Sequence, residues 1–315
     1  MSKKRILIIG GSSLLGYKLL HIKNNFEIQT TFNKNSIDLK NFETLKIDIT
    51  KEIECRKILE VKPDVIVNTA AMTNVDYCEK FKEKAFDVNV RGTQNILKMA
   101  EQIGSKFVHI STDAVFSGKK DNYFEEDLPN PVNIYGKTKL ESERIASEAS
   151  NHLILRPSVI FGWIPPEFIK KRNESIKNMN FALWVLNKLH CGEKLSVVDD
   201  QFSTPTLADN LAENIIDMIK KDMTGIFHAS GLSCINRLDF SKKIANVFGY
   251  SDKLISSCSS EELKQIAPRP FKTCLKCEKI SKEGMKILEI DQAIKIMFNQ
   301  VKNKQPDIIC RKSNE

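Results

Sequence analysis

The stretch Arg5-Ile-Leu-Ile-Ile-Gly-Gly-Ser-Ser-Leu-Leu-Gly16 decides the fold class of this chain. Its first half is a continuous apolar run, which is typical of a strand buried on both faces of a parallel sheet. The glycines and serines that follow predict a tight turn into a helix. At such a turn the backbone can approach a pyrophosphate closely, and the first amides of the helix can bind its negative charge. The stretch therefore predicts a dinucleotide site at the end of the first strand.

The first half of the chain continues this alternation of apolar runs and amphipathic segments. We predict strands at residues 26–32, 64–68, 106–110 and 152–155, and helices at residues 52–60, 82–102 and 137–149. Strands separated by helix-length segments form βαβ crossovers, which make the strands parallel. The pattern predicts an α/β fold with a doubly wound parallel sheet of the Rossmann type.

The rhythm changes after residue 161. We predict a helix at residues 181–189, a strand at 194–198, a helix at 207–220, a strand at 225–229, and shorter helices at 237–248, 261–266 and 291–299. This order predicts a dinucleotide-binding domain of residues 1–165 plus about 203–230. A smaller, discontinuous substrate-binding lobe would comprise about 166–202 and 231–301, and residues 302–315 would form a flexible tail.

The composition is that of an ordinary globular protein. The chain has 315 residues, of which 41% are hydrophobic and 28% charged, so fibrous and disordered classes are excluded. Its formal net charge of +8 is spread among alternating lysines and acids, and we expect no nucleic-acid partner. No run approaches the ~20 apolar residues of a membrane helix, and the first strand begins close to Met1. We expect a cytoplasmic protein without membrane attachment.

The eight cysteines are expected to be reduced thiols, because we find no export signal. Cys274 and Cys277 form a Cys-x-x-Cys pair, but no second pair or histidine cluster stands nearby to complete a zinc site. We therefore expect no bound metal.

A second chemical signal is Tyr135-Gly-Lys-Thr-Lys139, at the start of a predicted helix. A tyrosine and a lysine four residues apart share one helix face, where the ammonium can lower the tyrosine pKa from its ordinary value of about 10. The motif alone also fits a solvated helix start. Thr112 follows the predicted strand at 106–110, at the sheet edge where such folds bind ligands, and its hydroxyl could hydrogen-bond a substrate carbonyl.

Taken together, these segments resemble the extended short-chain dehydrogenases/reductases, and among them dTDP-4-dehydrorhamnose reductase and its relatives. The similar segments run in family order along the chain: Asn68-Thr-Ala-Ala-Met-Thr-Asn-Val-Asp76, Asn89-Val-Arg-Gly-Thr93, Ser111-Thr-Asp-Ala-Val-Phe-Ser-Gly118, Tyr135-Gly-Lys-Thr-Lys139, Leu155-Arg-Pro-Ser158, Val198-Asp-Asp-Gln-Phe-Ser-Thr-Pro-Thr206, Gly225-Ile-Phe-His228 and Pro268-Arg-Pro270. The chain departs from the family pattern at Ser13, which replaces the middle glycine of the first turn, and at Val159, where rhamnose-pathway enzymes tend to carry tryptophan.

The resemblance implies a role for each matching residue. It implies that Thr112 orients the keto oxygen, that Tyr135 donates the proton, and that Lys139 holds the nicotinamide ribose and lowers the tyrosine pKa. Asn89 would support the helix that carries them. The residues implied to bind the cofactor are Gly10, Ser12, Ser13, Leu14, Leu15, Gly16, Lys34, Asp48, Ile49, Thr69, Ala70 and Ala71, together with Tyr135 and Lys139. The residues implied to bind substrate are Thr73, Asp113, Ser158 and Arg269.

The implied activity is NADP(H)-dependent reduction of a nucleoside-diphosphate 4-keto-6-deoxysugar by a homodimer. Two alternatives stay open: a sugar-nucleotide epimerase, and a non-catalytic NADP-binding regulatory subunit similar to the β subunit of methionine adenosyltransferase. A 4,6-dehydratase is not expected, because Ala114 stands where those enzymes carry a catalytic glutamate. NAD(H) is the alternative cofactor. We favour NADP(H) because no acid follows the second strand, whereas Lys34, Thr31 and Ser36 could bind a 2′-phosphate.

Overall fold

A seven-stranded parallel sheet forms the centre of the computed structural model, which describes residues 3–34, 42–165 and 179–302. The strands are β1 (Arg5–Ile9), β2 (Glu27–Phe32), β3 (Thr44–Lys46), β4 (Val65–Asn68), β5 (Lys106–Ile110), β6 (His152–Arg156), β7 (Ser158–Phe161), β8 (Leu195–Val198), β9 (Phe202–Ser203), β10 (Pro205–Leu207), β11 (Gly225–His228), β12 (Ile235–Asn236), β13 (Ile255–Cys258) and β14 (Lys272–Thr273). The order across the central sheet is β11-β6-β5-β4-β1-β2-β3, which confirms the predicted doubly wound fold.

Helices cover both faces of this sheet and build the second lobe. They are α1 (Leu14–His21), α2 (Glu52–Cys55), α3 (Lys57–Val61), α4 (Val75–Lys80), α5 (Lys82–Phe86), α6 (Gly92–Ile103), α7 (Ile134–Ser147), α8 (Phe181–His190), α9 (Ala208–Lys220), α10 (Arg237–Phe248), α11 (Ser260–Leu263), α12 (Glu278–Lys282) and α13 (Ile290–Lys302). No helix in the described ranges is long and apolar enough to cross a bilayer.

The continuous apolar run of β1 is explained by burial on both sheet faces. Ile6 and Ile8 pack in a core with helices α1 and α9, whereas Leu7 and Ile9 pack in the opposite core with α6 and α7. Because side chains alternate along a strand, a strand covered on both faces needs an apolar residue at every position. The alternation places β1 at the middle of the domain.

The sheet reverses its winding between β1 and β4. Strands β2 and β3 extend from one side of β1, and β4, β5, β6 and β11 extend from the other. In open parallel sheets, ligands bind beyond the carboxyl ends of the strands at such a switch point. The turn after β1 and the segment after β4 therefore flank the expected ligand cleft.

A second lobe is built from small sheets and three longer helices. Strand β8 pairs with β13, and a three-stranded sheet has the order β12-β9-β14. Helices α8, α10 and α13 pack around a separate apolar core that includes Phe161, Leu186, Phe240 and Ile294. Strand β7 follows β6 of the central sheet directly, pairs with β10 and ends at Phe161 in this core.

Three predicted helices differ from the observed ones. The segment predicted as one helix at 82–102 contains a π-helical turn at Asp87–Arg91 between α5 and α6. That turn directs Asn89 inward, where its Oδ1 accepts from the amide of Met72 at 2.7 Å and its Nδ2 donates to Thr138 Oγ1 at 2.9 Å. The helix at 52–60 is divided at Arg56 into α2 and α3, and the helix at 261–266 is the single turn α11. The short strands β3, β7, β9, β10, β12, β13 and β14 lie where we predicted none.

The expectation of eight reduced thiols is wrong for two of them, because Cys234 and Cys274 form a disulfide with a Cα–Cα distance of 5.4 Å. The pairing was invisible in the sequence, since the two residues lie 40 positions apart and meet only when β12 and β14 join the same sheet. Cys277, the other half of the Cys-x-x-Cys pair, is buried against Ser230, with 3.3 Å between Sγ and Oγ.

Three parts of the predictions lie outside the described residues. They are Ser36, residues 166–178 of the predicted lobe segment 166–202, and the tail after Lys302.

Candidate active site

A cleft of about 640 Å³ runs along the carboxyl edge of the central sheet, between the sheet and the second lobe. It begins at the turn after β1, passes the ends of β4 and β5, and continues to the helix starts of α8 and α10. The cleft therefore joins the predicted dinucleotide turn to the Tyr135 and Lys139 pair. Residues of the central-sheet domain and of the second lobe both line the cleft.

The turn after β1 has the geometry of a phosphate-binding turn. Gly10 has a φ of +90°, a conformation that favours glycine. A Cβ at Gly16 would lie 2.4 Å from the carbonyl oxygen of Gly10, so only glycine lets the helix pack this close to the turn. The amides of Leu14 and Leu15, the first two residues of α1, have no carbonyl partner within the helix and lie beside the cleft. These features fit a dinucleotide pyrophosphate.

Ser13 explains how the turn tolerates the loss of its middle glycine. Its φ of −72° is ordinary for any residue, and its hydroxyl caps α1 by accepting from the amide of Gly16 at 2.9 Å. The same hydroxyl lies 3.1 Å from Thr69 Oγ1, which donates to the carbonyl of Ile9 at 2.8 Å. Ser13 therefore ties the helix start to the segment after β4.

The structure brings almost all predicted cofactor residues to one end of the cleft. The residues that line it are Gly10, Ser12, Ser13, Leu14, Leu15, Lys34, Asp48, Ile49, Thr69, Ala70 and Ala71. Gly16 lies behind them, at the contact with the turn. Asp48 is fixed because its Oδ1 accepts from the hydroxyl of Thr50 at 2.8 Å. Lys34 is exposed directly after β2.

Tyr135 and Thr112 meet because α7 packs tightly on the turn after β5. Asn133 caps α7 by accepting from the amide of Gly136 at 2.8 Å. A Cβ at Gly136 would lie 2.2 Å from the carbonyl oxygen of Ala114, so this glycine permits the close contact. A hydrogen bond joins the Tyr135 hydroxyl to Thr112, and both side chains line the cleft.

The expectation that Lys139 lowers the Tyr135 pKa is not met in this structure. Burial raises the pKa of Tyr135, and the hydrogen bond between Tyr135 and Thr112 offsets only part of that rise. The Lys139 ammonium is held elsewhere: it donates to the carbonyl of Ile110 at 2.7 Å and lies 3.0 Å from His109 Nε2. Tyr135 is therefore a neutral phenol, the protonated form that a proton donor needs.

Lys139 is itself strongly perturbed, because it lies almost completely buried between β5 and α7. Loss of hydration lowers its pKa to about 8. Burial also lowers the pKa of its neighbour His109 well below the usual range, and the Lys139 charge adds to this effect. His109 is thus a neutral strand residue in contact with the lysine ammonium.

Asp113 gathers three hydroxyl groups around one carboxylate. Thr112 donates to its Oδ1 at 3.0 Å, and Ser158 and Thr273 both donate to its Oδ2 at 2.6 Å. Ser158 is fully buried and is not among the residues that line the cleft, and its hydroxyl binds Asp113. Thr112 also accepts from the amide of Ala114 at 3.2 Å, which leaves its hydroxyl fixed on both sides.

The remaining predicted substrate residues, Thr73 and Arg269, both line the cleft. Arg269 is anchored to the wall, since it donates to Asp76 Oδ1 at 2.9 Å and to the carbonyl of Ala267 at 2.7 Å. Val159 also lines the cleft and has a φ of +42°, in the left-handed region that a β-branched residue rarely adopts.

Sequence reasoning missed Arg237, which also lines the cleft. Its guanidinium carbon lies 5.1 Å from the ring centroid of Phe181, the first residue of α8. The sequence contained one weak signal. A cation at the first position of a helix interacts unfavourably with the helix dipole, so an arginine there suggests a role other than helix stabilisation.

Comparison with known proteins places this geometry in a family. The profile of the RmlD substrate binding domain matches residues 4–303. The chain belongs to this family. It is 30% identical over 295 residues to dTDP-4-dehydrorhamnose reductase of Aggregatibacter actinomycetemcomitans, covering 88% of this chain and 92% of the relative. It is 29% identical over 296 residues to methionine adenosyltransferase 2 subunit beta of Bos taurus, covering 90% and 83%.

Solved structures of RmlD-family proteins share the whole fold. The structure of dTDP-4-dehydrorhamnose reductase from Bacillus anthracis in complex with NADP superposes with a TM-score of 0.83 at 27% identity, covering 95% of this chain and all of the other. The predicted resemblance to this family, and the fold that it implied, are confirmed.

The buried Lys139 gives this RmlD-family protein a specific pH dependence of stability. The Lys139 pKa is about 8 when folded and 10.5 in the ordinary state, so the unfolded chain holds more protons between these values. Stability then rises with pH across this window. Below pH 8 Lys139 is charged in both the folded and the unfolded state, so the full cost of burying its ammonium lowers the stability. We expect wild type to gain about 3 kcal/mol relative to Lys139→Met between pH 8 and 10.5.

Urea unfolding followed by tryptophan fluorescence, without cofactor, measures this difference at each pH. The matched control is Lys80→Met, because Lys80 is exposed and solvated in both states. Its difference from wild type should stay constant over the same window. A constant difference for Lys139→Met as well would show that burial of this ammonium has no such cost.

Proposed function

We propose that this chain is an NADP(H)-dependent reductase of nucleoside-diphosphate 4-keto-6-deoxysugars. The observation that carries the proposal is the arrangement of Thr112, Tyr135 and Lys139 in one cleft that also contains a phosphate-binding turn. The family relatives named as dTDP-4-dehydrorhamnose reductases support the substrate class, and the Bacillus anthracis complex supports NADP as the cofactor.

The bound NADPH would supply the hydride, and this chain's residues would supply the proton and hold the reacting groups. Tyr135 is protonated and would donate its hydroxyl proton to the keto oxygen as that oxygen gains charge. Thr112 positions that hydroxyl, because its own proton is committed to Asp113. Lys139 lies one helical turn after Tyr135, where its ammonium can bind the nicotinamide ribose and favour the phenolate left by proton transfer.

We propose a preference for NADP(H) over NAD(H). Strand β2 ends at Phe32 and is followed by Asn33 and Lys34, so no acid stands there to repel a 2′-phosphate. Lys34 is exposed at the cofactor end of the cleft and can pair with that phosphate. Thr31 is buried and its Oγ1 accepts from the amide of Gly10 at 3.2 Å, which leaves its hydroxyl proton to donate.

We propose that the sugar nucleotide binds between two domains. The dinucleotide-binding domain comprises residues 1–165 plus about 203–230, and the substrate-binding lobe comprises about 166–202 and 231–301. The described part of that lobe supplies Phe181, Trp184, Arg237 and Arg269 to the cleft. We also propose a cytoplasmic location, which is where a reductase would meet NADPH and nucleotide sugars.

The test is an assay of the purified protein with NADPH or NADH and a panel of nucleoside-diphosphate 4-keto-6-deoxysugars. We expect substrate-dependent oxidation of the cofactor, with a higher kcat/KM for NADPH. Epimerisation without net cofactor oxidation would favour the epimerase. Intact NADP binding with no turnover of any sugar would favour the regulatory subunit.

The Tyr135→Phe variant tests the proton donor directly. The change removes one hydroxyl, so the variant should fold and bind NADPH with wild-type affinity while kcat falls about 10²- to 10⁴-fold. Stopped-flow kinetics with cofactor binding measured by fluorescence separates the two effects. Phe124→Leu is a control at an exposed aromatic site. Wild-type turnover by Tyr135→Phe would remove Tyr135 from the mechanism.

We propose a homodimer that pairs through the surface of the segments 82–102 and 137–149. Two phenylalanines beside this surface support the proposal, since Phe81 and Phe86 are 48% and 39% exposed. Apolar rings of this size are often covered by a partner. Light scattering at micromolar concentration should give twice the 35.9 kDa chain mass, and Phe86→Lys should shift the equilibrium toward monomer. A monomeric wild type would contradict the proposal.

A further inference from the structure

Arg237 is a cation for which the described residues provide no anionic partner. It is the first residue of α10 and its guanidinium lies over the ring of Phe181. Its Nη1 is completely buried and makes no hydrogen bond within the described part of the chain. A buried guanidinium nitrogen without an acceptor is costly, because it has lost water without gaining a partner.

The neighbouring charges do not satisfy this guanidinium. Asp113 is near enough to favour its charged form, but that carboxylate already accepts three hydroxyl groups. Arg269 disfavours the charge and is itself bound to Asp76. Burial lowers the pKa of Arg237 to about 10, so the side chain remains a cation at neutral pH. Arg237 thus has donors to offer to a ligand.

The surroundings hold the guanidinium in a fixed orientation. Asn236 caps α10 by accepting from the amide of Asp239 at 2.7 Å, which sets where the helix begins. The Phe181 ring beneath the guanidinium is stacked on the buried ring of Phe240, with 5.7 Å between centroids. A planar guanidinium supported on one face presents its donors edgewise, which suits bidentate binding of an oxyanion.

The charge balance of the cleft also favours an anionic ligand. Five cationic side chains among its described lining residues stand against two acidic ones: Lys34, Lys84, Lys139, Arg237 and Arg269 against Asp48 and Asp113. Arg237 and Arg269 are both attached to the three-stranded sheet, one directly after β12 and the other just before β14. They lie in the second lobe, separate from the turn after β1, and Asp76 compensates the charge of Arg269 but not that of Arg237.

We propose that Arg237 binds a phosphoryl oxygen of the substrate's nucleoside diphosphate, with Arg269 beside it. The inference rests on the proposed function and deepens it by naming a residue that recognises the substrate. A 4-keto-6-deoxysugar is uncharged, so the diphosphate is the part of such a substrate that carries negative charge. Arg237 acts in binding, and its loss should raise KM far more than it lowers kcat.

The experiment uses full-length protein saturated with NADP⁺, so that nucleotides cannot occupy the turn after β1. Isothermal titration calorimetry measures binding of dTDP, UDP, GDP and CDP, and of thymidine and uridine as nucleosides without phosphate. We expect wild type to bind at least one diphosphate more tightly than the nucleosides. Arg237→Met should weaken that diphosphate about 10- to 100-fold and leave the affinities for nucleosides and NADP⁺ unchanged.

Two further variants make the test specific. Arg237→Lys keeps the charge but loses the bidentate geometry, so its affinity should lie between those of wild type and Arg237→Met. Arg56→Met removes an exposed arginine outside the cleft and should bind as wild type does. Unchanged NADP⁺ affinity in each variant shows that it is folded.

Unchanged diphosphate affinity in Arg237→Met would overturn the proposal, as would failure of wild type to bind any of the four diphosphates. Failure of the proposed function is a separate result. If no keto-sugar is reduced but diphosphate binding still depends on Arg237, the anion site stands and the reaction assignment falls. If wild type reduces a sugar and Arg237→Met has the same KM, the reaction assignment stands and the anion site falls.

Discussion

The carboxylate of Asp113 is the interaction on which the active centre depends, because it joins three segments of chain. Its three hydroxyl donors come from the turn after β5, from β7 and from β14. Hydrogen bonds to a charged acceptor each contribute about 1.5–3 kcal/mol. The first segment carries Thr112 and belongs to the central sheet, whereas Thr273 belongs to the small sheet of the second lobe. One buried charge therefore aligns the two walls of the cleft and fixes the hydroxyl that contacts Tyr135.

Much of this architecture could be predicted because its causes are local. The apolar run at Arg5–Ile9 requires burial on both faces, and the glycines after it require a close approach of backbone to backbone. Spacing alone placed Tyr135 and Lys139 on one helix face. The π turn at Asp87–Arg91 could not be predicted, since the residues that Asn89 binds from it, Met72 and Thr138, are distant in sequence.

The features that sequence reasoning missed arise from contacts across the fold. A tyrosine and a lysine four residues apart suggest mutual stabilisation of charge. The sequence contains no sign that Ile110 and His109 hold the ammonium and that burial dominates the phenol. Arg237 and Phe181 lie 56 positions apart and meet only in the second lobe. In each case tertiary packing sets the electrostatic environment of the side chain, and the local spacing of residues in the sequence does not reveal that packing.

The left-handed backbone at Val159 bears on how this protein can change over evolution. A β-branched residue in that region costs about 1–3 kcal/mol, so replacement by glycine removes strain and shortens a side chain of the cleft wall at once. The neighbouring Ser158 has no such freedom, because its backbone and hydroxyl are bound to Thr206 and Asp113. Divergence in the shape of the cleft can thus begin at Val159 without a loss of stability, while the adjacent position stays constrained.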